Sequence, residues 1–162
     1  MNSYRLEFIL NGKPVSIDTV AGRLLVDLLR EDLGLKGTKA GCREGECGVC
    51  TVLLEGKPVN SCLLPAMKVE GRHVTTIEGL SEKDHLHPLQ QAFIDEGASQ
   101  CGFCSPAMIL TAKSLLDKKS YPDESEIKRN LSGVLCRCTG YRKIIKAVQT
   151  ASMLQNSSRC RK

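Results

Sequence analysis

The chain has 162 residues, a formal net charge of +5, only 4% aromatic residues and no tryptophan, so it is one domain or two small ones with little aromatic surface to bury. No charged and apolar leader opens it and no apolar run nears the roughly 20 residues of a membrane span, which points to a cytoplasmic protein with no membrane partner. The basic residues are scattered without interleaved aromatics, which argues against nucleic acid as a partner.

Tyr4, Leu6, Phe8 and Leu10 alternate with other side chains up to Asn11 and Gly12, and Val15 and Ile17 resume the alternation. That is the pattern of a hairpin closed by a tight turn. The segment FILNGKPVSI at 8–17 is echoed by VLLEGKPVNS at 52–61, which predicts a second hairpin. Between them Leu24, Leu25, Leu28, Leu29 and Leu33 recur at helical spacing before Gly34, so a helix should cover the sheet and stop there. From Gly34 to Cys50 the chain is rich in glycine and charge, which predicts a loop pinned by something other than apolar burial.

The polar stretch GLSEKDHLH at 79–87 reads as a linker between a strand-rich domain at 1–78 and a helical domain at 88–155, with a polar tail at 156–162. Helical periodicity predicts helices over 88–96, 106–117, 124–131 and 141–154. Asp123 with Glu126 forms a capping-box signature, and Ser105 before Pro106 reads as an N-cap followed by a first-turn proline. The segments QCGFCSP and LCRCTG each stand between two such helices, so thiolates from both can meet near helix N-termini, where free amides favour negative charge.

Nine cysteines are the outlying number in the composition. An odd set in a reducing cytosol points to metal ligation rather than to disulfides. Cys42, Cys47, Cys50 and Cys62 are spaced C-x4-C-x2-C-x11-C, the front spacing of plant-type [2Fe–2S] ligands. Gly41, Gly45 and Gly48 lie among them, as a loop wrapped closely round a cluster requires. Zinc held by four thiolates is the competing reading, but its paired C-x2-C knuckles differ from this spacing. Cys101, Cys104, Cys136 and Cys138 are spaced C-x2-C-x31-C-x1-C, for which spacing favours iron–sulfur while leaving zinc open. Two oxidised clusters, each carrying about −2 with its thiolates, would lower the formal charge to about +1.

Cys160 stands outside both sets in a polar tail and reads as an incidental exposed thiol. His73, His85 and His87 read as solvated histidines rather than ligands, and Arg43, Glu44, Glu46 and Arg137 as facing solvent or a partner.

The strings GCREGECGVCTVLL, QCGFCSPAMILTA and GVLCRCTGYRKI resemble the iron–sulfur subunit of the molybdenum hydroxylases, the xanthine dehydrogenase family, over nearly the whole chain. The resemblance implies an α+β chain: an N-terminal β-grasp ferredoxin-like domain followed by a C-terminal four-helix bundle, each with one [2Fe–2S] cluster. It also implies that Gln100 and Cys138 touch a molybdenum-bound pterin. Electrons would then pass through the cluster of the helical domain to that of the ferredoxin-like domain and on to FAD. No dinucleotide-binding glycine fingerprint is present, so molybdopterin and FAD belong to partner subunits, a large molybdopterin-binding subunit and an FAD-binding subunit. A hetero-oligomer is expected, with a dimer of heterotrimers as one form.

On this reading the chain has no catalytic residues of its own. Xanthine or another purine is the favoured substrate of the complex, with aldehydes, nicotinate, carbon monoxide and an aromatic thioester as alternatives. A free-standing ferredoxin-type carrier and a zinc-stapled interaction module are the readings from other classes.

Overall fold

The structure, a computed structural model, describes residues 3–81 and 85–159, with side chains to residue 155. Cys160 therefore lies outside the described residues. The fold is α+β, a mixed sheet followed by helices.

Strands β1 (Ser3–Leu10) and β2 (Lys13–Val20) pair antiparallel around the Asn11–Gly12 turn, where both residues take positive φ, 52° and 77°. Asparagine and glycine tolerate that region, and a two-residue turn of this hand matches the twist of the strands. The second hairpin, β3 (Thr51–Leu54) with β4 (Lys57–Asn60), turns through Glu55 and Gly56 in the same way. β5 (His73–Thr75) joins the two hairpins, parallel to β1 and antiparallel to β3, in the order β2-β1-β5-β3-β4.

The leucine-rich segment is helical, though not as one regular α-helix. A short α1 (Leu25–Asp27) widens into a π-helical turn over Leu28–Asp32, where Leu33 N–H donates to Leu28 O. Gly34 then leaves with φ 70°. Leu25, Leu28 and Leu29 are fully buried with Leu6, Phe8, Leu10, Val52, Leu54 and Val74, which gives the first core.

All four residues of β3 are buried because both of its faces are covered. Val52 and Leu54 point into the α1 core, while Leu53 belongs to a second core built by the helices. Those helices are α2 (Pro88–Asp95), α3 (Ser105–Leu116), α4 (Glu124–Leu131) and α5 (Arg142–Arg159). α2 lies along α5, α3 meets α4, and α3 also packs on β3. Leu80 is buried among the helices, so the polar stretch expected as a linker contributes a core residue.

Helix ends confirm one expectation and correct three, the first being that α5 begins at Arg142 rather than at Tyr141. Asp123 Oδ1 accepts from Glu126 N–H at 2.9 Å and Glu126 Oε2 accepts from Asp123 N–H at 2.8 Å, the reciprocal capping box. Ser105 is not the N-cap of α3: it is the first helical residue, Cys104 holds the cap position, and the Ser105 hydroxyl pairs with that of Ser99 at 2.9 Å. His87 is not a solvated histidine, because it caps α2 by accepting from Leu89 N–H at 3.2 Å while Gln90 Oε1 accepts from His87 N–H. Among the described residues no helix is long and apolar enough to cross a membrane.

Candidate metal centres

The loop between α1 and β3 has few apolar side chains to hold it, and hydrogen bonds do so instead. The Arg30 guanidinium donates to Thr38 O at 2.7 Å, Gly37 N–H donates to Glu78 at 2.7 Å, and Asn60 Nδ2 donates to Gly45 O at 2.9 Å. Positive φ at Arg43, Gly45 and Gly48 curls the chain so that amides point at sulfur. Glu44 N–H and Cys47 N–H both lie 3.4 Å from Cys42 Sγ, and Cys42 N–H lies 3.4 Å from Cys47 Sγ. A side chain at Gly41 would run into Cys47 Sγ.

Arg43 turns out to have a fixed partner. Its guanidinium meets the Asp27 carboxylate with two bonds of 2.8 and 3.1 Å, which ties the loop to α1. Cys50 and Cys62 lie on the inner side, 2% and 3% exposed, with Ser61 Oγ donating to Cys50 O. The environments separate the thiols. The Glu44 amide first, then that of Cys47, pulls Cys42 down to about 7, whereas burial pushes Cys50 up to about 11, with the neighbouring Cys62 thiol opposing its ionisation.

The second set forms where two helix connections meet. Cys101 is exposed before Gly102 at φ 81°, and Cys104 is buried at the head of α3. From the other connection Cys138 Sγ comes within 3.6 Å of Cys101 Sγ, and Cys136 Sγ lies 3.1 Å from Thr139 Oγ1. The Phe103 amide first, then the Cys138 thiol, lowers Cys101, while burial, with Cys136 close by, pushes Cys104 up to about 12. For Cys136 burial is the largest influence and opposes ionisation, yet the Thr139 hydroxyl and amide and the Cys138 amide together hold its thiol below the ordinary range.

Among the described residues no group of three or more His, Cys, Asp or Glu side chains converges to hold a single metal ion. The thiols stand in pairs instead: Cys42 with Cys47, Cys50 with Cys62, Cys101 with Cys138, and Cys104 with Cys136. A two-iron cluster needs four thiolates, two at each iron, so a pair of pairs fits it. The backbone amides aimed at sulfur fit it too, because they favour the more negative state.

Gln100 is exposed and lines an open groove of about 1280 Å³ with Lys128, Thr139, Tyr141, Arg142 and Lys146. Cys138 is exposed and does not line that groove; its sulfur contact is with Cys101, the residue after Gln100. One relationship could not be read from the chain alone: Leu135 N–H donates to Cys47 O at 2.9 Å, joining the two sets. Gly48 lies so close to Gly133 that a methyl group added there would overlap the Gly133 carbonyl. The two glycines are 85 positions apart, and no motif connects them.

Comparison with known proteins agrees with this duplication. Residues 8–79 match the family described as 2Fe-2S iron-sulfur cluster binding domain, and residues 76–149 match the [2Fe-2S] binding domain family. The chain is 50% identical over 151 residues to the nicotinate dehydrogenase small FeS subunit of Eubacterium barkeri, covering 93% of this chain and 96% of that one. It is 44% identical over 148 residues to the xanthine dehydrogenase iron-sulfur-binding subunit of Escherichia coli O157:H7, covering 88% and 91%. A chain of the crystal structure of quinoline 2-oxidoreductase from Pseudomonas putida 86 superposes with a TM-score of 0.92 at 41% identity, covering 96% of this chain and 97% of that one. With both iron–sulfur domains matched in tandem, and subunits of that kind matched almost end to end, the chain belongs to the iron–sulfur subunits of the molybdenum hydroxylases.

Proposed function

We propose that this chain is the electron carrier between a molybdopterin-binding subunit and an FAD-binding subunit, with Cys42, Cys47, Cys50 and Cys62 holding one [2Fe–2S] cluster and Cys101, Cys104, Cys136 and Cys138 the other. The observation that carries this reading is that, among the described residues, the eight thiols of the two sets stand in pairs, with the sets joined by the Leu135–Cys47 hydrogen bond. We read the first half as a β-grasp domain and the second as a four-helix bundle, with the division at 79–87.

A cluster bound at each set supplies one-electron exchange. The protein's own part is to hold the thiols and to tune them. Amides of Glu44 and Cys47 stabilise charge on Cys42 sulfur, Phe103 does the same for Cys101, and the buried Cys50, Cys62 and Cys104 keep water from the inner sides. The helical set leads, with Gln100 and Cys138 toward the pterin, and the ferredoxin-like set faces FAD.

The exposed ends of the second set favour a subunit over a free-standing carrier. Phe103 and Leu135, beside Cys101 and Cys136, are 46% and 56% exposed, an apolar surface suited to a permanent partner. A hetero-oligomer follows, and a dimer of heterotrimers is one form consistent with it.

The substrate reading moves away from purine. Identity to the nicotinate subunit is 50% against 44% for the xanthine subunit, which supports an N-heteroaromatic acid such as nicotinate as the substrate class of the whole complex.

Purifying the complex through this chain tests the reading. Molybdenum and FAD should co-purify, nicotinate should reduce the flavin faster than xanthine does, and Cys104→Ser should abolish flavin reduction while substrate still reduces molybdenum. A complex lacking molybdenum, or flavin reduction that survives Cys104→Ser, would refute it.

A further inference from the structure

Tyr141 has an unusual place beside the second set. It follows Gly140, precedes α5, and takes φ 66°, a region that costs a non-glycine side chain energy unless the surroundings hold it there. Its hydroxyl accepts from Cys136 N–H at 2.9 Å and donates to Val134 O at 3.1 Å. Its own amide donates to Thr139 Oγ1 at 3.2 Å, and that same hydroxyl lies 3.1 Å from Cys136 Sγ. The phenol therefore grips the backbone on both sides of Leu135 while the Leu135 amide is left free to bond Cys47 O.

We propose that Tyr141 is a positioning residue: its hydroxyl fixes the 134–136 backbone so that the Leu135 amide stays bonded to Cys47, keeping the two cysteine sets in contact for electron passage. This rests on the electron-carrier reading above. Leu135 is a neighbour of Cys136, so one hydrogen bond and a short stretch of backbone connect a thiol of one set with a thiol of the other. Burial does not secure this stretch, because the Leu135 side chain is 56% exposed and Gly133 is exposed too. Val134 is the buried anchor, and the phenol supplies the second point that sets the rotation of the peptide.

The test uses the full chain carrying iron and sulfide, with Tyr121→Phe as the control because Tyr121 is 67% exposed. In Tyr141→Phe the Leu135 amide should exchange with deuterium about tenfold faster, the factor that loss of one net hydrogen bond produces. After one-electron reduction by pulse radiolysis, the fast exchange of the electron between the two EPR-distinguishable centres should be lost. The Cys42 set should keep its own EPR signal, and Tyr121→Phe should change neither readout. Tyr141→4-aminophenylalanine, which can again donate and accept, should restore both the protection and the fast phase. Unchanged exchange and an unchanged fast phase in Tyr141→Phe would overturn the proposal. Should Tyr141→Phe fail to take up iron, the 4-aminophenylalanine variant decides: recovery of the fast phase supports the proposal, and iron uptake without that phase overturns it. A wild-type chain showing fewer than two EPR signals would refute the electron-carrier reading itself, a separable result.

Discussion

The amide of Leu135 donates to the carbonyl of Cys47 at 2.9 Å, and through that bond the loop of the first cysteine set touches the strand of backbone that enters the second. Val49 extends the same contact, since it is buried in the core of the helices although it belongs to the first loop. The cysteine sets are thus fixed to each other as well as to their own halves.

Close approach at that junction depends on glycine at one of its two positions. Gly48 has φ 66° and its missing side chain is occupied by the Gly133 carbonyl, whereas Gly133 has open space around it. Gly48→Ala should therefore cost about 2–4 kcal/mol, combining the left-handed backbone penalty with overpacking. Gly133→Ala should stay within about 0.5 kcal/mol. Denaturant unfolding followed by helix circular dichroism separates the two, and equal effects would contradict the geometry.

Asn11 does more than turn the first hairpin. Its Nδ2 donates to Thr76 Oγ1 at 3.0 Å and its Oδ1 accepts from Thr76 N–H at 2.8 Å, closing the sheet onto the segment that leads to the helices. Thr76 is fully buried, so Asn11→Ala should destabilise by about 1–3 kcal/mol through unpaired polar groups. Asn11→Asp, which keeps an acceptor for the Thr76 amide and tolerates positive φ, should lose less. Equal losses in the two variants, measured by thermal unfolding, would show that the Oδ1 acceptor for the Thr76 amide contributes nothing.

His87 makes stability depend on pH. Burial first, and then the charge of Lys113, lowers its pKa below the ordinary imidazole value, with Asp117 acting in the opposite direction. The unfolded chain therefore takes up a proton at a higher pH than the folded chain does. Stability from this group is full above the unfolded value of about 6.5 and falls as pH drops from there toward the folded value. The physical event is loss of the acceptor at His87 Nδ1 for the Leu89 amide. His87→Asn keeps an N-cap without titrating, so its melting temperature should lose this acid-side slope. A slope identical to wild type would remove His87 as the cause.

The sequence made much of this readable, for particular reasons. Asn11–Gly12 and the repeated GKPV strings mark turns because positive φ has few acceptable residues, and Asp123 with Glu126 marks a helix start because both halves of the cap are local. Cysteine spacing suggests the two sets of four that are proposed above as cluster ligands, the first by its C-x4-C-x2-C run and the second less distinctly. Other features were not, because they depend on contacts between distant segments. Widening of α1 into a π-turn, the Asp27–Arg43 pair that holds the first loop, and the Leu135–Cys47 bond have no signature in one chain. His87 could have been suspected as a cap from its position before Pro88 and from Gln90 three residues on. Helical periodicity includes Tyr141 in the last helix, but the helix begins at Arg142 and Tyr141 turns back onto the cysteine loop instead.

The Asp27–Arg43 pair makes a further prediction about the first set alone. The Asp27 side chain is only 14% exposed and Arg43 has positive φ, so Asp27→Asn should loosen the loop around Cys42 without touching α2 to α5. Deuterium exchange across 41–48 should rise, and the EPR signal of the Cys42 set should broaden while that of the Cys101 set stays unchanged. A change confined to the second signal would place Arg43 with the wrong centre.

Iron and acid-labile sulfide analysis, combined with low-temperature EPR of the reduced chain and of its Cys47→Ser and Cys104→Ser variants, tests the central claim most directly. Two complete four-cysteine sites predict about four irons and four sulfides per chain. They also predict two signals, the first disturbed only by Cys47→Ser and the second only by Cys104→Ser. Iron near two per chain, or either substitution erasing both signals in a folded chain, would contradict it.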